Sequence, residues 1–307
     1  MTRTRILVYL GIIAALFVIA AAWYGLAFVR AGNGHATPFD GEHALQDVQT
    51  QVAFGPRVPG SDAHARVLAW MESELAAAGW TTRRQQAETM GHPIINLIAS
   101  RSPAPAQVIV GAHYDTRLLA DRDADPALRS LPGPGADDGA SGVAVLLELA
   151  RTLPPDTIPV ALVFFDAEDN GHVPGWDWIL GSTAFAAELD HKPQAMILLD
   201  MVGDRDLGMP MEGASDPALR ASIWSTAARL GHQDVFRSEV GGAILDDHNP
   251  FLDAGIPAVD IIDIDYPYWH TSQDTPDKLS SRSLQTVGDV VWTWLVDQKP
   301  VSPGPGD

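Results

Sequence analysis

Apolar residues along the chain follow two alternating patterns. Continuous apolar runs, which predict buried strands, occupy residues 107–112, 158–165, 195–202 and 256–264. Apolar residues with helical spacing predict helices at residues 61–78, 142–153, 217–230 and 284–295. Strands of this kind separated by helices are typical of a largely parallel sheet with both faces covered. The pattern therefore predicts an α/β fold, a three-layer α/β/α sandwich around a central sheet.

The amino-terminal region has a different pattern. Arg3 and Arg5 precede an uncharged apolar run at residues 6–29, which is long enough to cross a bilayer as a helix. Basic residues before such a run place residues 1–5 in the cytoplasm. A cleaved signal peptide is the alternative, but its apolar core is usually about 7–15 residues long. We therefore expect a single-pass membrane anchor with the main domain periplasmic or extracellular; signal cleavage would instead give a secreted protein.

Two segments without periodic pattern bound the main domain. Residues 30–37 form a short polar linker, and residues 299–307 form a tail rich in Pro and Gly that we expect to be disordered. Residues 38–298 contain no internal repeat and no second linker, so one domain is the simplest interpretation.

Charge and composition narrow the chemistry. The 20 basic and 39 acidic residues give a net charge of -19, which disfavours nucleic acid or an anionic membrane surface as a partner. The chain has no cysteine, which excludes disulfides and thiolate chemistry. Any bound metal must therefore be held by His, Asp and Glu side chains.

Residues able to bind a metal or transfer a proton stand at the ends of separate predicted elements. They are His113, Asp115, Asp138, Glu168, Asp169, Asp200 and His270. In open α/β sheets, ligand sites lie beyond the carboxyl ends of the strands, so we expect these side chains to meet there. Asp115 is placed to orient His113 as a carboxylate partner.

Each of these signals also has an ordinary structural explanation. His113 alone could be a buried structural histidine, and Asp137 or Asp138 could cap the following helix, which contributes about 1 kcal/mol. Glu168 and Asp169 could belong to a solvated loop. Clustered carboxylates, however, repel one another unless cations offset them. A divalent ion does so, and His, Asp and Glu ligands with an open position suit catalytic zinc.

Five motifs in order resemble a known family. They are GAHYDT at 111–116, GADDGASG at 135–142, FFDAEDNG at 164–171, ILLDMVG at 197–203 and YWHT at 268–271. The chain resembles the zinc aminopeptidases with a co-catalytic metal pair, and among these most closely the glutaminyl cyclases, from about residue 52 to residue 279. The resemblance implies a central, largely parallel mixed sheet and peptide or protein amino termini as substrates.

The resemblance implies a role for each matched residue. In the aminopeptidases, Asp138 matches the bridging ligand of two metals. Asp169 and His270 match ligands of the first metal, and His113 and Asp200 match ligands of the second. In the glutaminyl cyclases, the positions of Asp138, Asp169 and His270 hold a single zinc, while Asp200 belongs to a hydrogen-bond network. Glu168 matches the general base or proton shuttle in both.

Other positions favour the cyclases. Asp246 stands where the aminopeptidases usually have Ser, and it matches a residue that takes part in cyclase catalysis. Trp269, expected to line the substrate pocket, and the loop with Trp176 and Trp178 are also similar to the cyclases. Asp169 departs from the pattern, because it is one methylene shorter than the usual Glu. Residues 271–279 resemble the peptidases more.

Two chemistries thus remain open for the zinc site. In the cyclase, the α-amine of an amino-terminal Gln attacks its own side-chain amide, and one zinc suffices. In the aminopeptidase, Glu168 deprotonates a water and two metals share the work. A third alternative is an inactive binding ectodomain.

The polar segment 117–133 is long enough to form a lid. Its acidic residues are equally typical of a solvated stretch and of a calcium-type site, so no role is predicted for them.

Overall fold

The computed structural model describes residues 37–298, and a six-stranded sheet lies at its centre. The strands are β1 Thr81–Thr89, β2 His92–Ser100, β3 Val108–His113, β4 Val160–Phe165, β5 Ala195–Asp200 and β8 Ala258–Ile262. Their order is β1-β2-β4-β3-β5-β8. The last four of these are mutually parallel, whereas β2 pairs antiparallel with both β1 and β4. The predicted largely parallel sheet is therefore confirmed, with an antiparallel hairpin at one edge.

Helices cover both faces of this sheet. They are α1 Gly41–Ala53, α2 Asp62–Ala77, α3 Ala140–Thr152, α4 Leu180–Ala187, α5 Pro217–Leu230, α6 Asn249–Asp253 and α7 Ser281–Asp297. A short 3-10 helix spans Pro276–Lys278, and β6 Met209–Met211 pairs with β7 Phe236–Val240 outside the main sheet.

Alternate strand residues point to opposite faces, and each face has its own core. One core contains the buried side chains of α1, α2, α3, α5 and α7 together with strand residues such as Val110 and Leu162. The other contains Phe185 of α4 and Phe251 of α6, packed against Phe165 and its neighbours. Apolar residues on both sides of β3, β4 and β5 explain why their sequences are continuous apolar runs.

The predicted elements differ from the observed ones mainly at their ends. Helix α5 spans the predicted residues 217–230, whereas α3 begins two residues earlier and the strand predicted at 256–264 is shortened to β8. The Oγ of Ser61 accepts a hydrogen bond from the backbone N–H of His64 at 3.1 Å, so Ser61 caps α2 as predicted. The sequence analysis did not predict α1, α4, α6, β1, β2, β6 or β7.

No helix within residues 37–298 is long and apolar enough to span a bilayer. The predicted anchor at 6–29 lies outside the described residues. The segment 1–5, the tail 299–307 and most of the linker 30–37 do too.

Candidate active site

Loops and turns at the carboxyl edge of the parallel strands bring the predicted residues together. His113 and Asp200 are the last residues of β3 and β5, and Glu168 and Asp169 follow β4 within a tight loop. Asp138 lies just before α3, Asp246 lies before α6, and His270 lies in the loop after β8. All seven side chains are buried. This is the location that the topology of open α/β sheets favours for a ligand site.

Three of these residues form a first group, which we call the His113 triad. The Nε2 atom of His113 lies 3.2 Å from Oδ1 of Asp138 and 3.3 Å from Oδ1 of Asp200. Two ligands of a tetrahedral zinc, each bound at about 2.0–2.1 Å, are separated by about 3.3 Å. Both distances from His113 therefore match the edge of a zinc coordination tetrahedron.

A second group, the His270 triad, shares Asp138 with the first. The Nε2 atom of His270 lies 2.8 Å from Oδ1 of Asp169 and 3.7 Å from Oδ2 of Asp138. Asp169 therefore reaches the group although its side chain is shorter than the Glu of the resembled family. Because Asp138 directs one carboxylate oxygen toward each triad, its geometry suits a ligand that bridges two metals.

Unpartnered atoms provide a test of whether these residues fit a metal. Within residues 37–298, Nε2 of His113 and Oδ1 of Asp200 are fully buried and have no hydrogen-bond partner. Such groups are costly unless something binds them. A bound cation would satisfy both atoms and offset the repulsion among the carboxylates, so the donor set fits zinc.

Asp115 supports the site from behind. Its Oδ1 lies 3.4 Å from Nδ1 of His113 and accepts the backbone N–H of Glu168 at 3.0 Å. A carboxylate on Nδ1 leaves Nε2 of the ring free for a metal. Asp115 therefore orients His113, which is the role expected for it from the sequence. It also fixes the turn that carries Glu168.

The backbone is strained where the candidate ligands are presented. Ala167, Met201 and His270 have φ values of 54°, 46° and 57°, in the left-handed region that non-glycine residues seldom adopt. His270 is a candidate ligand, Met201 follows the candidate ligand Asp200, and Ala167 precedes the candidate proton carrier Glu168. Such strain persists only when surrounding contacts hold it, and it concentrates at functional sites.

Neither Asp137 nor Asp138 caps the helix that follows them. The residue at the cap position of α3 is Gly139, which makes no side-chain capping bond. Oδ1 of Asp137 instead accepts the backbone N–H of Gly203 at 2.7 Å, while Asp138 faces both triads. The capping interpretation of this acidic pair is therefore wrong.

Glu168 and Asp246 are titratable groups in one cavity, both with raised pKa values. Burial raises the pKa of Glu168 well above its usual range, and the carboxylate of Asp246 raises it further. Burial, with the nearby charge of Asp200, raises the pKa of Asp246 to about 7. Oδ1 of Asp246 accepts the backbone N–H of Asp247, but within the described residues its buried Oδ2 has no partner. Groups of this kind suit proton transfer near neutral pH.

The cavity itself has a volume of about 200 Å³. Its acidic wall is formed by Asp138, Glu168, Asp169, Asp200 and Asp246, and its apolar wall by Trp178, Met201, Ile244, Leu245, Ile262, Ile264 and Trp269. Trp269 therefore lines the cavity. The combination suits a small substrate group with both a polar reacting end and an apolar stem.

Two buried arginines partly offset the negative charge. Arg57 is fully buried and donates hydrogen bonds to the carbonyls of Tyr114, Pro134 and Gly135. Burial lowers its pKa to about 10, while nearby carboxylates oppose the shift, so it stays charged at neutral pH. Arg117 lies at the other side and donates to the carbonyl of Asp169 at 2.7 Å.

Sequence reasoning missed several supporting residues. Asp274 accepts the backbone N–H groups of Asp137 and Asp138 at 2.8 and 3.2 Å and thereby fixes the acidic turn. Its segment is polar and shows no period, so no sequence signal indicated a buried role. Trp178, named only for its loop, stacks on His270 with ring centroids 6.0 Å apart.

Two further histidines, His64 and His172, behave as structural or surface residues. Nε2 of His64 lies 2.8 Å from Oδ1 of Asp166, and its ring stacks on Tyr114. His172 is exposed and contacts the edge of Trp178. Neither belongs to a triad.

The fold and the two triads define an α/β protein with a candidate metal centre of the zinc-exopeptidase type. The chain matches the model of peptidase family M28 over residues 94–295 and belongs to that family. Its recognition as a relative of the glutaminyl cyclases and zinc exopeptidases is therefore confirmed.

Solved structures and curated relatives include both activities. The chain is similar to Porphyromonas gingivalis glutaminyl cyclase, with a TM-score of 0.80 and 36% identity over 85% of this chain and 99% of that one. It is also similar to a leucine aminopeptidase precursor from Bacteroides thetaiotaomicron, with a TM-score of 0.82 and 33% identity over 86% and 99% of the chains. A bovine glutaminyl-peptide cyclotransferase-like protein is 26% identical over 88% of this chain and 78% of its own length.

Proposed function

We propose that the protein is a zinc-dependent glutaminyl-peptide cyclotransferase. It would convert the amino-terminal Gln of a peptide to pyroglutamate and release ammonia. The observation that carries the proposal is the placement of Asp246 in the same cavity as Glu168, with a buried, unpartnered Oδ2 among the described residues. The similarity to bacterial glutaminyl cyclases supports the same choice.

The proposed metal site is the His270 triad. Asp138, Asp169 and His270 would hold one zinc, which would polarise the γ-amide carbonyl of the substrate as a Lewis acid. Because the attacking α-amine belongs to the same Gln residue, it is already close to the carbonyl carbon, and no water nucleophile is required.

Glu168 is the proposed proton carrier. It would accept a proton from the α-amine as the new C–N bond forms and return it to the departing amide nitrogen, which leaves as ammonia. Burial raises its pKa and so makes the carboxyl group a better proton acceptor than an ordinary exposed Glu.

Asp246 and Asp200 are proposed to stabilise the tetrahedral intermediate of the reaction. With a pKa of about 7, Asp246 can keep its proton and donate a hydrogen bond to the oxygen that gains negative charge in the tetrahedral intermediate. Trp269, together with Trp178, would enclose the methylene stem of the substrate Gln and exclude water from the cavity. The predicted anchor at residues 6–29 would place this activity outside the cytoplasm.

An aminopeptidase with two metals is the second candidate, and one observation favours it. The His113 triad has the spacing of a zinc site of its own, although a single-zinc cyclase needs no second metal. In this alternative, His113 and Asp200 would be ligands and Glu168 would take a proton from the attacking water. Both triads and Glu168 are present in the described residues, so nothing here favours an inactive binding domain.

Replacing His113 by Ala distinguishes the two candidates. As a cyclase, the purified variant should bind one zinc and keep cyclisation of a Gln peptide within about tenfold of the wild type, because His113 is outside the catalytic zinc site. Metal content by atomic absorption and the cyclisation rate are the two measurements. A variant that binds zinc but is inactive toward Gln peptides would favour the two-metal alternative instead.

A further inference from the structure

The segment 117–133 lies against the candidate active site through an ion pair. Arg117 donates from Nε to Oδ1 of Asp121 at 3.0 Å and from Nη2 to Oδ2 at 2.8 Å. A guanidinium and a carboxylate joined by two hydrogen bonds form a pair with a fixed orientation. In an ordinary surface ion pair both side chains are mobile and the pair contributes little. Here the Arg117 side chain is only 4% exposed and holds the Asp121 side chain, which is 41% exposed.

Asp121 faces the candidate ligand His270. Its Oδ1 lies 3.5 Å from Nδ1 of the His270 ring, while Nε2 on the other side of the same ring lies 2.8 Å from Oδ1 of Asp169. One ring nitrogen therefore faces the metal position and the other faces a carboxylate. At 3.5 Å the contact is longer than an ordinary hydrogen bond and acts chiefly through charge.

Arg117 connects this carboxylate to the loop of the other ligand. It donates from Nη1 to the carbonyl of Asp169 at 2.7 Å and from Nη2 to the carbonyl of Gly171 at 3.1 Å. Its guanidinium also lies over the ring of Trp178 at 5.1 Å, and Trp178 stacks on His270. Arg117 and Asp121 thus couple the positions of Asp169 and His270, two of the three members of the His270 triad.

Neighbouring residues of the segment hold the His270 loop as well. The backbone N–H of Arg122 donates to the carbonyl of His270 at 3.2 Å, and Oδ2 of Asp123 accepts the backbone N–H of Ser272 at 2.8 Å. His270 has a φ of 57°, which costs energy and must be maintained by contacts. Both Asp123 carboxylate oxygens accept hydrogen bonds from the chain, which disfavours the calcium-type interpretation of this segment.

We propose that Asp121, fixed by Arg117, is a positioning residue that orients His270 for zinc. A carboxylate on Nδ1 favours the tautomer that carries its proton there, leaves the Nε2 lone pair for the metal, and makes the ring a stronger ligand. This inference rests on the zinc site of the proposed function. It assigns a task to the segment 117–133, for which the sequence analysis predicted no role.

Zinc affinity of the purified full-length protein provides the test. Asp121→Asn removes the charge with little change in volume, and Asp125→Asn, in the same segment, is the matched control because Asp125 is exposed and bonds only within its own turn. Competition with a chromophoric zinc chelator should show about 10- to 100-fold weaker binding for Asp121→Asn, as expected when a partner of a ligating His is lost. Asp125→Asn should bind as the wild type does.

The outcomes separate this inference from the proposed function. A wild type that binds no zinc would overturn both. A wild type that binds zinc, with Asp121→Asn equally tight, would overturn the positioning role alone. Thermal unfolding of the zinc-free variants is the second measurement. If Asp121→Asn unfolds at a clearly lower temperature while its folded form keeps full affinity, Asp121 is merely structural and the inference is wrong. Cobalt-loaded Asp121→Asn should also show an altered visible spectrum, because the ligand field at His270 changes.

Discussion

Glu168 and Asp169 are neighbours in the sequence but have different surroundings. The left-handed conformation of Ala167, with a φ of 54°, turns the chain directly after β4. Asp169 then lies 2.8 Å from His270, while Glu168 lines the cavity together with Asp246. Two adjacent acidic residues can thus serve one site in two ways, as a metal ligand and as a proton carrier.

Replacing Glu168 by Gln should separate these two tasks. The amide keeps the size of the side chain but cannot accept and return a proton, so we expect cyclisation to slow by about 10²- to 10⁴-fold. Zinc content and the unfolding temperature should stay close to those of the wild type, because Glu168 belongs to neither triad. The rate with a Gln-initiated peptide is the measurement. A variant that retains more than a tenth of the wild-type rate would exclude the proton-carrier role.

The strand-end rule could find the triad residues at the strand ends and the supporting residue Asp115, but not the supporting groups that lie in loops. His113, Asp169 and Asp200 each follow a long apolar run, so their positions at one edge of the sheet were predictable. Asp121 and Asp274 lie in polar segments without period, and only the folded chain brings them to the site. Their roles depend on contacts between residues far apart in sequence.

At the level of elements, close packing of α3 places Asp138. A Cβ atom added to Gly142 would lie 2.3 Å from the carbonyl oxygen of Leu199 in β5 and 2.9 Å from Cβ of Ala112 in β3. The missing side chain therefore allows α3 to lie directly against the two strands that end in Asp200 and His113. This close backbone approach, together with the hydrogen bonds of the acidic turn to Asp274, sets the distance between Asp138 and its partners.

The substitution Gly142→Ala tests this packing. In an open helix the change would stabilise the protein, but here the added methyl group should push α3 away from the sheet and destabilise the protein by about 1–3 kcal/mol. Zinc affinity should fall with it, because Asp138 moves. Chemical unfolding and chelator competition are the measurements. In the control, Gly242→Ala, the added Cβ meets no atom within 4 Å, so stability should change by less than about 1 kcal/mol.

Elements with strong apolar patterns were predictable, and those shaped by their neighbours were not. Helix α5 begins at Pro217 and ends before Gly231. Pro at the start of a helix and Gly just after its end are typical signals, and they agree with the predicted bounds of α5. Strand β1 has the polar sequence TTRRQQAET, and its strand conformation depends on pairing with β2 along its whole length. Strand β2, in contrast, has the apolar sequence PIINLIA, a signal for a buried strand that the sequence analysis overlooked.

The whole molecule combines a net charge of -19 with buried carboxyl groups. Burial is the main cause that raises the pKa of Asp169 and of Asp274 to about 6, and that of Asp246 to about 7. The ordinary value for Asp is about 4, so between these values the folded state binds more protons than the unfolded state. The free energy of unfolding therefore falls as pH rises through this range.

We accordingly expect the zinc-free protein to lose stability between about pH 4 and pH 7. Zinc should reduce the loss, because a bound cation stabilises the ionised carboxylates of its ligands. Unfolding temperatures across this range, with and without saturating zinc, provide the measurement, and Asp246→Asn should show a smaller decline because one titrating group is gone. A zinc-free protein that becomes more stable as the pH rises would contradict the assigned pKa shifts.

The masses of the products show most directly which reaction the protein catalyses. The purified, zinc-loaded protein would be incubated with two peptides that differ only in an amino-terminal Gln or Leu, and a chelator-treated sample would serve as control. We predict that the Gln peptide loses the mass of one ammonia in the zinc-loaded sample alone, and that the Leu peptide stays intact. Removal of the first residue from either peptide would contradict the cyclase and establish the aminopeptidase.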